Sequence, residues 1–217
     1  AAMAPAMGGV AVLAAAGRWP RRRRVGLAIL VVAGCGAVSA FGRPWDLALM
    51  RRMYPLLVDA VDTAYARVAL LEHDTQLAIY ENGAFGYDTG GISAEAFADL
   101  AALQHERPQR ALVINGGGEG VPLLLARHGI ASIHAVEVDR LAYEFVRARS
   151  ADGPAAEPAG NAITVHVDEP RRFLERPVSY DLILVAAGEP ISGASSRFYT
   201  REFFDLCARR LTRNGVL

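Results

Sequence analysis

The stretch RALVINGGGEGVPLLLARHGIASIHAVEVD, residues 110–139, decides how this chain folds. It opens on an apolar run, RALVIN (110–115), of the length and composition of a buried strand. Gly116–Gly117–Gly118–Glu119–Gly120 follow, and then a helical segment through Arg127. A second strand, ASIHAVEV (131–138), ends at Glu137 and Asp139. Glycines between strand and helix let backbone N–H groups approach a ligand closely, at a helix N-terminus. Glu137 stands 21 residues beyond Gly116, the spacing at which an acid closing the next strand accepts hydrogen bonds from both hydroxyls of a ribose. Glu119 opposes a pyrophosphate, because like charges would face each other, and suits a cationic amine or sulfonium. Gly116, Gly117, Gly118, Glu119 and Glu137 are therefore expected to hold S-adenosylmethionine or its decarboxylated form as a co-substrate, in preference to NAD and with no prosthetic group.

Working outward, the alternation continues. A helix over 141–149 precedes a Pro/Gly/Ala loop at 150–160, then strands at 163–167, 181–185 and 215–217, with helices near 171–176 and 200–211. This is the pattern of an α/β, doubly wound, Rossmann-like sheet of the class I S-adenosylmethionine-dependent methyltransferase type. Upstream, YARVALL (65–71) and QLAIY (76–80) read as strands joined by a turn at 72–75. Asn82–Gly83 is a second turn, leading to a third strand at 84–87. Ser93 is expected to cap a helix running to about His105. The boundaries that follow are apolar helices over 1–42, a linker over 43–62 punctuated by Pro44 and Pro55, a small antiparallel β unit over 63–91 and the nucleoside-binding domain over 92–217. Because a strand is only beginning at Val216–Leu217, the chain is expected to be a C-terminally truncated fragment.

The formal net charge of zero hides an asymmetry. Residues 1–55 carry eight Arg against one acid, and the remainder fifteen Arg against twenty-two acids. Every basic side chain but the His is Arg, which excludes Schiff-base and P-loop lysine chemistry. The acidic half offers no basic stripe for a nucleic acid. Cys35 and Cys207 are too few for a disulfide framework. The five His show no metal-ligand spacing, and no metal is expected. Ser195–Ser196 lack the context of a nucleophile elbow. The uncharged runs 1–17 and 25–42 flank an Arg-rich loop and read as bilayer-spanning, with a signal peptide as the rival reading. The expected location is a membrane. The arginines around the second run leave the side open, and supply of the co-substrate favours the cytoplasm.

From residue 65 to 217 the chain resembles the spermidine/spermine synthases, the polyamine aminopropyltransferases. The pieces come in that family's order: YARVALL, ENG, LQHERPQRALVI, the glycine loop, AVEVD, RRFL, YDLILV and FYTREFFDLCARRLTRNGVL. The upstream apolar runs resemble the branch in which this domain follows membrane helices. The resemblance implies alkyl transfer to a small-molecule amine, a polyamine, with a homodimer among the expected partners. It assigns ribose binding to Glu137 and the adenine to the acid before RRFL, Glu169, with Asp168 adjacent. The acid ending the family's glycine loop contacts the cofactor's amine end; it falls on Gly118 in ungapped register and on Glu119 after a shift of one.

The acceptor half departs from the pattern. The family's Tyr-His-Glu cluster falls on Ser93, Ala94 and Glu95, and its glutamine after the first Tyr falls on Ala66. The Asp after YDLILV that helps deprotonate the amine is Ala186, which leaves Glu189 as the catalytic carboxylate of that loop. Glu95 and Tyr87 are the expected acceptor contacts, Tyr87 lying where the hairpin covers the cleft. Methyl transfer from the same sulfonium and a non-catalytic nucleoside-sensing domain stay open as alternatives.

Overall fold

The computed structural model describes residues 20–73, 76–150, 162–188 and 193–217. The apolar run 1–17, most of the loop at 150–160 and Glu189 lie outside the described residues. The chain divides into two units, Ala1–Pro55 and Leu56–Leu217.

In the first unit, α1 (Arg21–Met53) is a single 33-residue helix, about 50 Å long at 1.5 Å per residue. It is long and apolar enough to cross a bilayer by length and composition. It runs through Pro44, so the stretch expected to begin a linker is helical to Met53. A proline inside a helix removes one backbone hydrogen bond, and the helix formers in WDLALMRRM carry the segment past it. Arg51 and Arg52 sit in the last turn, favourable to the helix dipole, and Pro55 follows the stop.

The second unit opens with an antiparallel sheet of β1 (Leu57–Asp62), β2 (Arg67–His73), β3 (Gln76–Glu81) and β4 (Ala84–Asp88), in that spatial order. The β unit therefore starts at Leu57 and has four strands, the first of them in the expected linker. Asn82 and Gly83 take positive φ, 52° and 84°, the twist a two-residue hairpin requires. Helix α2 (Ile92–Leu103) is capped by Gly91 and not by Ser93. The amides of Ala94 and Glu95 both reach the Gly91 carbonyl, so the helix has begun before Ser93.

The rest alternates: β5 (Arg110–Ile114), α3 (Val121–Arg127), β6 (Ser132–Glu137), α4 (Arg140–Arg147), β7 (Ala162–Val167), α5 (Pro170–Phe173), β8 (Tyr180–Val185), α6 (Gly193–Ser196), a 3₁₀ turn (Arg197–Tyr199), α7 (Arg201–Ala208) and β9 (Leu211–Val216). The five strands are parallel in the order β7-β6-β5-β8-β9, the doubly wound arrangement expected. β9 begins at Leu211, four residues earlier than its sequence suggested. Gly215 lies so close to β8 that a Cβ there would stand 2.9 Å from the Tyr180 carbonyl oxygen.

Alternation along β5 builds both layers of the core. Ala111 and Val113 face α2 and α3 with Ala98, Leu125 and Ile130, whereas Leu112 and Ile114 face Phe173, Ile183 and Phe203. The antiparallel sheet lays Val68, Leu70 and Ile79 on Phe145 and Val146 of α4. That contact holds β3 and β4 beside the carboxyl ends of the parallel strands, where open α/β sheets place their ligands.

Candidate functional site

A cleft of about 500 Å³ lies at the ends of β5, β6 and β8, walled on one side by β3 and β4. The chain enters it through Asn115, whose φ of 58° is left-handed, a conformation that asparagine tolerates better than most residues. The glycine loop is then packed from several sides. A Cβ at Gly116 would meet Val113 at 2.8 Å and Ala186 at 3.2 Å, and one at Gly117 would meet Glu137 Oε1 at 2.6 Å. The Gly117 N–H donates to Glu137 Oε1 at 2.6 Å, fixing that carboxylate at the end of β6. Tyr87, opposite Ile79 on β4, brings its hydroxyl over Gly118, 2.2 Å from where a Cβ would be.

The charge in this cleft is negative. Burial foremost, then Glu81, raises the Glu119 carboxyl to about 7. Burial also raises Glu137 to about 7, against the Gly117 N–H, with Glu119, Glu81 and Asp139 adding to the rise. Burial, then Glu137, Glu81 and Glu119, pushes the Tyr87 phenol far up, so it stays protonated and can donate. Carboxyls crowded in this way favour a cationic ligand.

These shifts give a sign to the pH dependence. Glu119 and Glu137 titrate near 4.5 when unfolded and near 7 in the fold, so the stability of their protonated forms is complete below 4.5 and lost as pH rises through 7. His134 and His166, adjacent on β6 and β7, are lowered from 6.5 mainly by burial, so their contribution is lost as pH falls below 6.5. The melting temperature of the chain alone is expected to climb as pH falls from 8 toward 6.5 and to level off below that, where protonation of the two His in the unfolded chain offsets the continuing carboxyl gain. Glu119→Gln should flatten the alkaline limb in a thermal melt; an unaltered limb would rule out that carboxyl as its cause.

The structure brings Gly116, Gly117, Gly118, Glu119, Glu137 and Tyr87 together around this cleft. Glu95 lines a neighbouring cavity of about 310 Å³, with Gly117, Gly118 and Glu119 also in its wall. Asp168 and Glu169 do not line the cleft. The Asp168 carboxylate is held by both the Nε and the terminal nitrogen of Arg172 and by Arg176 at 2.7 Å. Glu169 caps α5, accepting from the amides of Arg171 at 2.8 Å and Arg172 at 3.2 Å.

Among the cleft residues that the sequence did not assign to the site are Glu81, Asn115, Asp139 and Arg197. Glu81 was legible, since Leu77, Ile79 and Glu81 share one face of β3 and Ile79 is fully buried. Asp139 accepts from the Ala142 amide as the cap of α4. Nothing in the local sequence announces Asn115 or Arg197. Among the described residues no group of three or more His, Cys, Asp or Glu could hold a metal ion.

Known proteins are similar to this chain in sequence and in fold. A polyamine aminopropyltransferase of Korarchaeum cryptofilum is 24% identical over 163 residues, 74% of this chain and 48% of that protein. One from Pectobacterium atrosepticum is 28% identical over 127 residues, 58% of this chain and 44% of that protein. The chain thus spans about half the length of these curated relatives. Two solved structures share the fold: a spermidine synthase in complex with the transition-state analogue AdoDATO (TM-score 0.64, 18% identity, 72% of this chain and 55% of that one) and the spermidine synthase from Thermotoga maritima (TM-score 0.61, 17% identity, 73% and 54%). The spermine/spermidine synthase domain matches residues 91–217, more than half of the sequence, from the glycine turn before α2 to the last strand, and the chain belongs to that family.

Proposed function

We propose that this cleft binds decarboxylated S-adenosylmethionine and transfers its aminopropyl group to a small-molecule amine of the polyamine class. The observation that carries the reading is the Glu137 carboxylate, pinned at the end of β6 by the Gly117 N–H and surrounded by Glu81, Glu119 and Asp139. Glu137 is proposed to take the ribose hydroxyls. The negative field around it matches a ligand that is cationic at both its sulfonium and its amine. In the reaction a neutral amine attacks the carbon next to the sulfonium; a C–N bond forms, the C–S bond breaks and methylthioadenosine leaves as a neutral thioether. The new ammonium must then lose a proton.

Glu119, near 7, and the neutral Tyr87 hydroxyl are proposed at the aminopropyl end, and Glu189 is proposed as the proton acceptor. Glu95, lining the neighbouring cavity, is proposed to meet the far end of a long polyamine. Helix α1 is proposed as a bilayer anchor on grounds of length and apolarity.

Methyl transfer from S-adenosylmethionine is the second reading: Ala186 stands at the strand end beside the glycine loop where the resemblance implies an acid for aminopropyl transfer, so the site departs from that reaction's pattern. Calorimetry separates the two. The chain, in detergent, is titrated with decarboxylated S-adenosylmethionine and with S-adenosylmethionine, each with putrescine present and absent. Tighter binding of the decarboxylated form, with spermidine appearing in the mixture, is the expected result. Preference for S-adenosylmethionine with no aminopropylated product would overturn it.

A further inference from the structure

The groups expected to read the nucleobase are engaged, wholly or in part, within the protein. Asp168 is bound by Arg172 and Arg176, and one oxygen of Glu169, Oε2, by two backbone amides of α5, while its Oε1 is turned to Arg197. β7, which ends in the loop carrying both, pairs with β6 on the side away from β5, so this loop lies next to the strand end that carries Glu137. With the aminopropyl end proposed at Glu119 and Tyr87, a nucleoside whose ribose sits on Glu137 is proposed to turn its base end to this side of the cleft.

What stands there is Arg197, in the 3₁₀ turn after α6. It lines the cleft, and its Nη1 lies 3.8 Å from Glu169 Oε1. Its guanidinium is stacked over Phe198 at 4.8 Å, and Phe198 is itself buried. Arg171 fixes the turn from behind, donating to the Arg197 carbonyl at 2.8 Å and to Thr200 Oγ1 at 2.9 Å. The Arg197 Nε is shut away from solvent with no hydrogen-bond partner. Buried donors in folded proteins are nearly all paired, so an orphaned one marks a side chain whose bonding is incomplete as it stands. The donor that meets a ligand is then a terminal nitrogen: Nε is enclosed, but the side chain keeps 29% of its surface exposed, lines the cleft, and its Nη1 stands beyond hydrogen-bond distance of Glu169.

We infer that Arg197 is the base-end contact of this site, donating to a ring-nitrogen acceptor of a bound purine nucleoside, with Glu169 positioning the guanidinium rather than touching the base. The inference rests on the nucleoside reading of the cleft and adds the residue that decides which base enters.

The test uses methylthioadenosine and its 1-deaza, 3-deaza and 7-deaza analogues, titrated calorimetrically into the full 217-residue chain in detergent. Wild type is expected to bind one of the three analogues roughly ten- to a hundredfold more weakly than methylthioadenosine, the worth of a hydrogen bond from a charged donor. Arg197→Met should weaken methylthioadenosine by the same factor and erase the gap to that analogue. Glu169→Gln, which leaves the donor in place, should weaken binding while keeping the gap. If the Met variant does not melt cooperatively, Arg197→Lys serves instead, and its gap should shrink because the ammonium lacks the planar fork. Retention of the full gap in the Arg197 variants, or a wild type indifferent to all three ring nitrogens, overturns this inference alone. A wild type that binds no adenine nucleoside overturns the nucleoside site and this inference together.

Discussion

Replacing Ala186 by Asp is expected to raise the rate of amine alkylation by about 10²–10⁴-fold, the usual contribution of a positioned general base. Ala186 follows β8 directly, and its amide donates to the Ile114 carbonyl at 2.9 Å, so the backbone there is fixed to the centre of the sheet. Its Cβ lies beside the glycine loop, 3.2 Å from where a Cβ on Gly116 would be. A carboxylate introduced here stands on a rigid strand end and not on a loop, which favours precision of placement. It would also enter the field of Glu119 and Glu137, which lifts a carboxyl toward neutrality and so toward the basicity that proton removal needs at pH 7. Ala186→Asn has the same shape without the basicity and should show no gain. Both variants are assayed with decarboxylated S-adenosylmethionine and putrescine, following spermidine. An Asp variant that binds the co-substrate yet gains nothing over the Asn variant would sink the idea that a base was lost at this position.

The contrast between 110–139 and 43–62 shows what local sequence can specify. Strand, glycine turn, helix and strand were legible because each is dictated by residues within it: the apolar run of β5, the glycines that admit a close backbone, the acid closing β6. β1 was not, because LVDAVD becomes a strand only by pairing with β2, Ala60 against Ala69 and Val61 against Val68. Nor was the end of α1, where proline is a local stop signal that the flanking helix formers override. In the site, Glu119, Glu137 and Tyr87 line one cleft. Asp168 and Glu169 do not line the cleft, because spacing from RRFL fixes where an acid lies along the chain but not which donors compete for it. Two arginines one and two turns on and the open amides of α5 outcompete the cleft. Arg197 was invisible for a related reason: its place depends on Arg171 and Glu169, far away in sequence.

Gly118→Ala is expected to cost roughly 1–3 kcal/mol of stability and to abolish nucleoside binding, although the substitution adds one methyl group. The φ of Gly118 is not what forbids a side chain; Tyr87 is. A Cβ at 118 would stand 2.2 Å from the Tyr87 hydroxyl and 3.0 Å from its Cζ, and the ring cannot retreat because it packs against the cluster of Val68, Leu70 and Ile79. The hydroxyl thus fills the space that a side chain at 118 would take, the position where the family resemblance, in ungapped register, puts an acid. Glycine and tyrosine are in this sense one feature: β4 delivers across the cleft a polar group to the point where the loop has Gly118. A double-mutant cycle tests it by thermal melt and by methylthioadenosine titration. Tyr87→Ala alone loses ring packing and is destabilised. On that background Gly118→Ala should cost nothing further, and Gly118→Asp should be accepted as well, since the space is then open. A coupling of about 1–3 kcal/mol between the two sites is the expected result. Additive costs would mean that the glycine is required for its own backbone and that Tyr87 merely lies nearby.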